Sequence, residues 1–426
     1  MDNHPQTHLP ETAIVRQTLC RGAIEDVAGS TAAALGGLRF REPPQDGRRV
    51  AVAVGSRGIR HLGTVVEQCL QYLKGLGLRP FIIPAMGSHG GATPEGQRRV
   101  LSTYGITQDR LQVPVDADMA VAEIDQLECG MPVYFARTAL DADYVVLINR
   151  VKPHTKFRAP VESGLCKMLT IGLGKAAGAE AYHRWAVSRS FSIIEEAAGV
   201  ILKKVGILFG LALVEDGYGD LQTVSAVLPQ HLIETDKKLL KEAAASMARI
   251  PFDGIDILVI DQIGKDISGI GMDSNVTGRH RDIVGDFYTA PHIKRIFVRE
   301  LSPASDGNAN GIGLADVTTR RLVDAVDRQK TYKNAVTAIS PEKAAIPIYF
   351  ETDREALAVC AATAGLESLA AARLVRIQNT KSLELLEVSR ALETEIAANS
   401  NLEQVTSWRE MRFDGKGNLV EMPKMH

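Results

Sequence analysis

Short apolar runs that alternate with helical patterns constrain the fold of this chain more than any other feature. Residues 50–54, 80–84, 143–148 and 207–214 are apolar runs of strand length, each followed by glycine or polar residues. Apolar residues recur at helical spacing over residues 64–76, and Thr93-Pro94-Glu95 combines a capping hydroxyl, a first-turn proline and an acid, as a helix start does. Apolar strands separated by helices are typical of parallel sheets that are covered on both faces. The sequence therefore predicts an α/β fold.

A second series of the same kind begins near residue 253. Strands are predicted at residues 255–260, 295–299, 346–350 and 374–377, and residues 412–422 are expected to return as an edge strand. A chain of 426 residues exceeds what one core normally supports. We therefore expect two α/β domains with mainly parallel sheets, residues 1–250 and 251–426, and an active site in the cleft between them. We also consider a return of the tail to the first domain.

Composition and charge argue against several functional classes. The chain is 45% hydrophobic and 23% charged, as ordinary globular proteins are, and its net charge of -2 gives no reason to expect nucleic acid or an anionic membrane as partner. No apolar run is long enough to span a bilayer, and the first residues lack the pattern of a secretion signal. The five cysteines are scattered and form no Cys-x-x-Cys pair, which disfavours a disulfide framework or an all-cysteine metal site. These properties predict a cytoplasmic enzyme.

Lys167 lies in the segment with the most chemical information, residues 162–174. Apolar residues surround it on both sides, and an ammonium group is costly to bury among them. Such a lysine either pairs with a carboxylate, for which Glu162 is a candidate, or loses its proton and becomes a nucleophile. His154 precedes this segment and His183 follows it, so one short region offers an amine and two imidazoles.

Polar side chains follow several predicted strands directly. They are Arg57, His89, His154 and the pair Gln262 and Lys265. Ligands of open parallel sheets bind beyond the carboxyl ends of the strands, so we expect these residues on such a rim. The loop of residues 87–94 joins a strand to a helix through glycines, which suits an anion. The polar loops 273–279 and 305–311 lack the ligand spacing of an EF-hand, which argues against calcium.

Each of these residues also has a purely structural interpretation. The glycine loop is consistent with a tight turn alone, and His89 with a surface histidine. His154 is consistent with a solvated basic loop, and Lys167 with a lysine that pairs with an acid or extends its amine to solvent. His183 is consistent with a histidine packed between aromatic residues, and Arg57 with a solvated arginine. The residue types by themselves leave both interpretations open.

The combined motifs resemble those of the lactate racemase family of nickel-pincer-nucleotide enzymes. They extend from about residue 57 to residue 265, roughly half of the chain. Singly none of them is specific, and jointly they are. The motifs that carry the resemblance are, in chain order, Gly87-Ser88-His89, His154, Ser163-Gly164-Leu165-Cys166-Lys167, His183 and Gln262-Ile263-Gly264-Lys265.

The resemblance implies a cofactor and a role for each residue. The family's cofactor is pyridinium-3,5-bisthiocarboxylic acid mononucleotide, which binds nickel through one carbon and two sulfurs. By resemblance Lys167 tethers it, His183 completes the nickel coordination, and His89 and His154 are the acid/base pair. The resemblance also implies cofactor binding by Arg57, Ser88 and Gly90, and substrate binding by Arg57, Gln262 and Lys265. It leaves open whether Arg57 binds the cofactor phosphate or the substrate carboxylate.

The activity implied by the resemblance is the racemisation or epimerisation of a 2-hydroxy acid. A hydride moves reversibly between the substrate and the pyridinium ring, and other proteins build the cofactor. The chain departs from the better-known lactate racemases at Gly55-Ser56-Arg57-Gly58, where they have Asp-x-Thr-Arg-Pro, at Leu165 and Cys166, and at Asp261, where they have tyrosine. These departures predict a substrate other than lactate. The polar loops near residues 274–275 and 308–310 favour a larger or polyhydroxylated acid.

Other functions remain open at this stage. One alternative is a metal-free enzyme that forms a Schiff base through Lys167 and uses His154 as acid/base. Another is a non-catalytic protein that binds an anion or other small ligand. A conventional NAD dehydrogenase is disfavoured, because no predicted strand ends in the glycine fingerprint of dinucleotide-binding folds.

Overall fold

A computed structural model describes residues 9–55 and 58–423, which form two compact units. One unit is Cys20–Met247, and the other contains residues 9–19 and 248–423. The N-terminal segment differs from the sequence-based boundaries, since β1 (Glu11–Gln17) pairs antiparallel with the strand Leu385–Ser389. Residues 9–19 therefore belong with the C-terminal part of the chain. No helix in the described ranges is both long enough and apolar enough to cross a membrane.

The unit Cys20–Met247 is an α/β domain. Its parallel strands have the order β3-β2-β6-β7, and β8 is antiparallel to β7. The strands and the helix predicted for this unit are present, with bounds shifted by at most two residues. The hairpin of β4 and β5 was not predicted. Its elements are α1 (Val27–Gly36), β2 (Arg49–Val54), α2 (Leu62–Gly75), β3 (Arg79–Pro84), α3 (Pro94–Ser102), α4 (Gln108–Leu111), β4 (Val121–Gln126), β5 (Pro132–Ala136), α5 (Arg137–Leu140), β6 (Tyr144–Arg150), α6 (Leu165–Lys167), α7 (Lys175–Arg189), α8 (Ile193–Lys204), β7 (Ile207–Glu215), β8 (Leu221–Val227) and α9 (Leu232–Ser246).

The apolar pattern explains why β2 lies inside the sheet. Val50, Val52 and Val54 alternate along the strand and pack in one cluster with Val65 and Leu73 of α2. Burying each such side chain contributes about 1.5–3 kcal/mol. A strand apolar on both faces is typical of the interior of a parallel sheet, and β3 and β6 pair with both edges of β2.

The second unit is also α/β, with a mixed sheet. Parallel strands in the order β14-β13-β12-β9-β15 continue into the antiparallel strands β16, β1 and β17, and β18 pairs with β1. The tail thus pairs within its own unit at Arg409–Glu410, and an isolated Phe413–Leu419 bridge replaces the edge strand expected at residues 412–422. Its further elements are β9 (Ile255–Ile263), α10 (Ser274–Thr277), β10 (Arg279–His280), β11 (Phe287–Tyr288), β12 (Ile293–Leu301), β13 (Val317–Thr319), α11 (Arg320–Asp324), α12 (Arg328–Thr337), β14 (Ile348–Phe350), α13 (Asp353–Thr363), β15 (Leu374–Ile377), β16 (Leu385–Ser389), α14 (Glu393–Ala398), β17 (Leu402–Gln404) and β18 (Arg409–Glu410).

Candidate functional site

The loops after β2, β3 and β6 meet at the carboxyl edge of the sheet in Cys20–Met247. The Gly87 N–H donates to the Gly172 carbonyl at 3.2 Å. A Cβ atom on Gly172 would lie 2.7 Å from the Ala85 carbonyl oxygen, and one on Gly55 would lie 2.4 Å from Asn149 Oδ1. These contacts require glycine, and they bring the three loops against the turn that follows Lys167. Arg57 lies outside the described residues.

Backbone hydrogen bonds close the segment between His154 and Lys167 into a loop. Lys152 and Ser163 exchange two hydrogen bonds, N–H to carbonyl, at 3.0 and 3.3 Å. Asn149 Nδ2 donates to the Gly164 carbonyl at 2.7 Å. Contacts with the end of β6 and the residues after it therefore fix the position of residues 163 and 164, which lead into the Lys167 turn.

Asp236 of α9 anchors the turn that carries Lys167. Its carboxylate accepts the N–H groups of Leu165 at 3.0 Å and Cys166 at 2.9 Å, and the Cys166 thiol also donates to it. Burial raises the pKa of Asp236 and holds the pKa of the Cys166 thiol well above its usual range. A Cβ on Gly164 would lie 2.4 Å from Asp236 Oδ1, so glycine is required there. The sequence analysis missed Asp236, although an acid on the apolar face of α9 is a detectable signal.

We expect Asp236→Ala to lower the free energy of unfolding by about 3 kcal/mol, because it leaves two buried N–H groups without an acceptor. Asp236→Asn keeps one acceptor oxygen and should lose less. Urea unfolding of both variants measures the difference. Equal stability of the alanine variant and the parent would show that the carboxylate does not anchor the turn.

His154 lies in a positively charged and aromatic environment. Its ring stacks on Phe157 at 4.3 Å between centroids, and Phe157 stacks on Phe191 at 4.1 Å. The pKa of His154 is held well below its usual range, first by burial among these atoms and then by the nearby charge of Lys167 and His183, with smaller effects of two other lysines. The ring is therefore neutral at neutral pH.

The hydrogen bonds of His154 define its tautomer. Its backbone N–H donates to Glu162 Oε2 at 2.5 Å, and the Lys156 N–H donates to His154 Nδ1 at 3.1 Å. Because Nδ1 accepts, the proton of the neutral ring is on Nε2. For Nε2 to take a proton from a ligand, Nδ1 must give up this bond and carry the proton instead.

His183 and His89 lie on different elements that contact the Lys167 turn. His183 lies on α7, and its ring meets Phe191 edge-on at 5.9 Å between centroids. His89 follows β3, in a loop held by Gln97, whose Nε2 donates to the Gly87 and His89 carbonyls at 2.9 and 3.3 Å. The structure thus brings Lys167, His154 and His183 together and places the His89 loop against the same turn.

The glycine loop has a structural reason for its composition. Gly90 has a φ of 65°, and a Cβ there would lie 2.5 Å from the Gly96 carbonyl carbon of α3. Only glycine fits both constraints. Ser88 is half-buried in the same loop. Binding of a cofactor by Ser88 and Gly90 stays a prediction.

Lys175, at the start of α7, is fully buried and was missed by the sequence analysis. Its Nζ donates to the Pro84 carbonyl at the end of β3 at 2.8 Å. Burial lowers the pKa of Lys175 to about 8, against the opposing effect of Asp116 and Asp118. This lysine ties the helix of His183 to the strand that precedes His89.

The Lys175 contact predicts a pH dependence of stability. Between pH 8 and 10.5 the native lysine has released its proton and the unfolded lysine still holds it, so the free energy of unfolding rises with pH. Relative to Lys175→Met, the parent should gain about 2 kcal/mol between pH 7.5 and 10. Urea unfolding of both proteins measures this gain, since other lysines cancel in the difference. Parallel profiles of parent and variant would contradict it.

Gln262 and Lys265 lie at the carboxyl end of β9 in the second unit. Gln262 is inside the strand rather than after it, and Lys265 follows two residues beyond the strand. Lys265 Nζ donates to the Gly269 carbonyl at 2.5 Å. Asp261, interpreted from sequence as a change beside the substrate, instead accepts hydrogen bonds from Arg299 at 2.9 Å and Arg376 at 2.8 and 3.0 Å.

Metal-binding side chains are sparse in both units. In residues 9–55 and 58–423, no three His, Cys, Asp or Glu side chains converge as ligands of one ion. A metal held near His183 would therefore need donors from a bound group. The amine of half-buried Lys167 and the positive charge of its neighbours suit an anionic organic group of that kind.

One family model matches part of this chain in sequence, and solved structures match most of the chain in fold. Residues 31–192 match the family model described as the lactate racemase N-terminal domain. No curated protein matches the chain in sequence.

Two solved structures share the fold. A crystal structure of a Thermotoga maritima protein is 14% identical with a TM-score of 0.53, covering 86% of this chain and 99% of that one. The lactate racemase apoprotein from Thermoanaerobacterium thermosaccharolyticum is 12% identical with a TM-score of 0.50, covering 91% of this chain and 92% of that one. At these identities the similarity concerns the fold, and it confirms the expected α/β class.

Proposed function

We propose that this chain, whose residues 31–192 match the model of the lactate racemase N-terminal domain, is a nickel-dependent racemase or epimerase of a 2-hydroxy acid. The observation that carries this proposal is the meeting of Lys167, His154 and His183 at the carboxyl edge of one sheet. His154 and His183 both lie near Phe191, at 6.4 and 5.9 Å between ring centroids, and Lys167 is close enough to lower the pKa of His154.

The residues fit the cofactor that the family implies. Lys167 would hold the pyridinium nucleotide through its amine, and His183 would be the one protein ligand of nickel. Neutral imidazole is a good nickel ligand, and a cofactor with three donors of its own needs only one more. The positive charge of Lys152 and Lys156 suits a phosphate-bearing ligand. Ser88, Gly90 and Arg57 are the further candidates for its binding.

When bound, the nucleotide supplies a carbon that accepts a hydride and returns it. The chain itself must move the proton of the substrate hydroxyl. We propose His154 and His89 for this role, one for each enantiomer, because the hydroxyl occupies a different position in each. The lowered pKa of His154 keeps it neutral, as a proton acceptor must be. Its Nε2 becomes that acceptor when the proton moves to Nδ1.

Substrate binding is assigned to Gln262, Lys265 and Arg57. A 2-hydroxy acid carries one carboxylate, which an ammonium or guanidinium group binds through charge-assisted hydrogen bonds. We propose a substrate other than lactate, because residues 55–58 are Gly-Ser-Arg-Gly where the better-known lactate racemases have Asp-x-Thr-Arg-Pro.

Nickel content and racemisation test this proposal together. The protein is produced with the cofactor-building enzymes, and enantiomerically pure 2-hydroxy acids are assayed before and after nickel is removed with a chelator. We expect racemisation or epimerisation of at least one acid and its loss with the metal. Turnover that persists without nickel would contradict the proposed function.

A variant of the nickel ligand separates metal binding from the tether. His183→Ala should reduce bound nickel about tenfold or more while the adduct on Lys167 remains. Metal analysis and peptide mass spectrometry measure the two properties. Arg184→Ala, on an exposed position of the same helix, is the matched control and should keep its nickel. Full nickel content in His183→Ala would remove this residue from the site.

A further inference from the structure

Two buried polar side chains lie in the loops that follow β9 and β12. Ser268 is 8% exposed and Asn310 is 1% exposed. In the part of the chain that the structure describes, neither Ser268 Oγ nor Asn310 Oδ1 has a hydrogen-bond partner. Because β9 and β12 are parallel, both loops lie at the carboxyl edge of their sheet, where ligands of α/β folds bind.

The two loops pack tightly against each other. A Cβ on Gly271 would lie 2.6 Å from the Asn310 carbonyl oxygen, and one on Gly311 would lie 1.6 Å from the Ile270 carbonyl oxygen. The Ser268 carbonyl accepts the Gly271 N–H at 3.0 Å. Ser268 and Asn310 therefore belong to one closely packed pair of loops, and we call these two residues the Ser268/Asn310 subsite.

The neighbouring hydroxyls of Ser302 and Ser305, in the same loops, have hydrogen-bond partners. Ser302 Oγ donates to Asp266 Oδ1 at 2.5 Å and accepts the Ser305 N–H at 3.2 Å. Ser305 Oγ donates to the Asn308 carbonyl at 2.6 Å. A buried polar atom without a partner costs about 1–3 kcal/mol. The contrast with Ser302 and Ser305 indicates that Ser268 and Asn310 keep their atoms available for a ligand.

The hydrogen-bonding capacity of the two atoms determines which ligand group they can bind. Asn310 Oδ1 only accepts hydrogen bonds, while Ser268 Oγ both donates and accepts. An alkyl group would satisfy neither atom, and a carboxylate would leave Asn310 Oδ1 unsatisfied. An ammonium group would meet the positive charge of Lys265, which belongs to the same loop. A ligand hydroxyl donates to Asn310 and pairs with Ser268 in either direction.

We propose that the Ser268/Asn310 subsite binds a hydroxyl group of the substrate, so that the substrate is a 2-hydroxy acid with further hydroxyls along its chain. This inference rests on the proposed function. It deepens that function, because Gln262 and Lys265, the proposed substrate contacts, belong to the same strand end and loop as Ser268.

Calorimetric titration with two matched acids tests the subsite. Both 2,3,4-trihydroxybutanoate and 2-hydroxybutanoate carry a carboxylate and a 2-hydroxyl, and only the first has further hydroxyls. The full chain, loaded with cofactor, should bind the first about tenfold more tightly. Ser268→Ala and Asn310→Leu should each remove this preference and leave the affinity for 2-hydroxybutanoate unchanged.

Ser302→Ala is the matched control in the same loops. Its hydroxyl is hydrogen-bonded, so its loss should lower the unfolding temperature and keep the preference between the two acids. Ser268→Ala removes an unpaired hydroxyl and should leave the unfolding temperature equal or higher. If Ser268→Ala keeps its unfolding temperature and loses the preference between the two acids, the Ser268 hydroxyl binds the ligand and does not stabilise the fold.

The possible failures are distinguishable. Equal affinity for the two acids, no binding of either acid, or a preference that survives both substitutions would overturn the subsite and leave bound water as the partner of these atoms. Racemisation without that preference would leave the proposed function intact. A preference lost in Ser268→Ala, in a protein that racemises no acid, would support the subsite and contradict the proposed function.

Discussion

Lys167→Ala is expected to contain neither nickel nor the sulfur-bearing nucleotide and to lose activity by at least about 1000-fold. The physical reason is that the proposed tether is covalent, so no neighbouring contact would replace it. The turn that carries Lys167 is held by Asp236 through the backbone N–H groups of Leu165 and Cys166, which the substitution leaves in place. The substitution should therefore prevent loading of the cofactor and leave the fold of the protein intact.

Lys167→Arg distinguishes the tether from a simple charge effect. Arginine keeps the positive charge beside His154 but does not form the acyl bond to the cofactor. Peptide mass spectrometry across residue 167, on protein made with the cofactor-building enzymes, should show the nucleotide adduct on the parent alone. Lys203→Ala, an exposed lysine on α8, should carry a normal adduct.

Racemisation by either Lys167 variant would defeat the assignment. An active parent with an unmodified Lys167 would move the Schiff-base alternative to first place, and trapping with borohydride and a carbonyl substrate would then test it.

His154→Ala is expected to keep its cofactor and nickel and to lose about 10²–10⁴-fold in kcat. His89→Ala should behave in the same way, because in the proposed mechanism each histidine serves one enantiomer and the racemisation cycle needs both. Loading is measured on the Lys167 peptide, and turnover is measured separately for each enantiomer. His231→Ala, an exposed histidine at the start of α9, is the control and should be fully active.

The pH profile gives a second test of His154. Burial is the largest cause of the lowered pKa of His154, and it remains when Lys167 is acylated and loses its charge. Together with the charges of Lys156 and Lys152, it should keep the ring neutral as the pH falls through 6.5. We expect kcat/KM to stay constant through that pH and to decrease only in more acid solution. Loss of activity centred at the usual histidine pKa would contradict the role of His154 as a neutral base.

The regular elements and the region of the site were predictable from sequence. The apolar run at residues 50–54 forms β2 with one extra residue, because a strand that buries both faces leaves a pattern in its own side chains. The meeting of Lys167, His154 and His183 was also accessible, since they are close in sequence and His154 follows the end of β6. Arg57, predicted to bind an anion, lies outside the described residues and stays a prediction.

Contacts between distant segments could not be predicted. Asp236 lies 70 residues beyond Cys166, and its role depends on the packing of α9 against the start of α6. Lys175 follows no strand, and its burial depends on how closely α7 approaches the end of β3. The assignment of β1 to the second unit depends on its pairing with β16, far along the chain.

The sequence by itself determined the α/β class, the carboxyl-edge loops and the residue types that can tether a cofactor and transfer protons. These properties are local, because strand and helix periodicity and side-chain chemistry are carried by neighbouring residues. Only the tertiary structure decided that His154 is neutral, that Asp236 holds the Lys167 turn, and that Ser268 and Asn310 share one surface. Burial and hydrogen bonding depend on what packs around a group, and those neighbours come from remote parts of the chain.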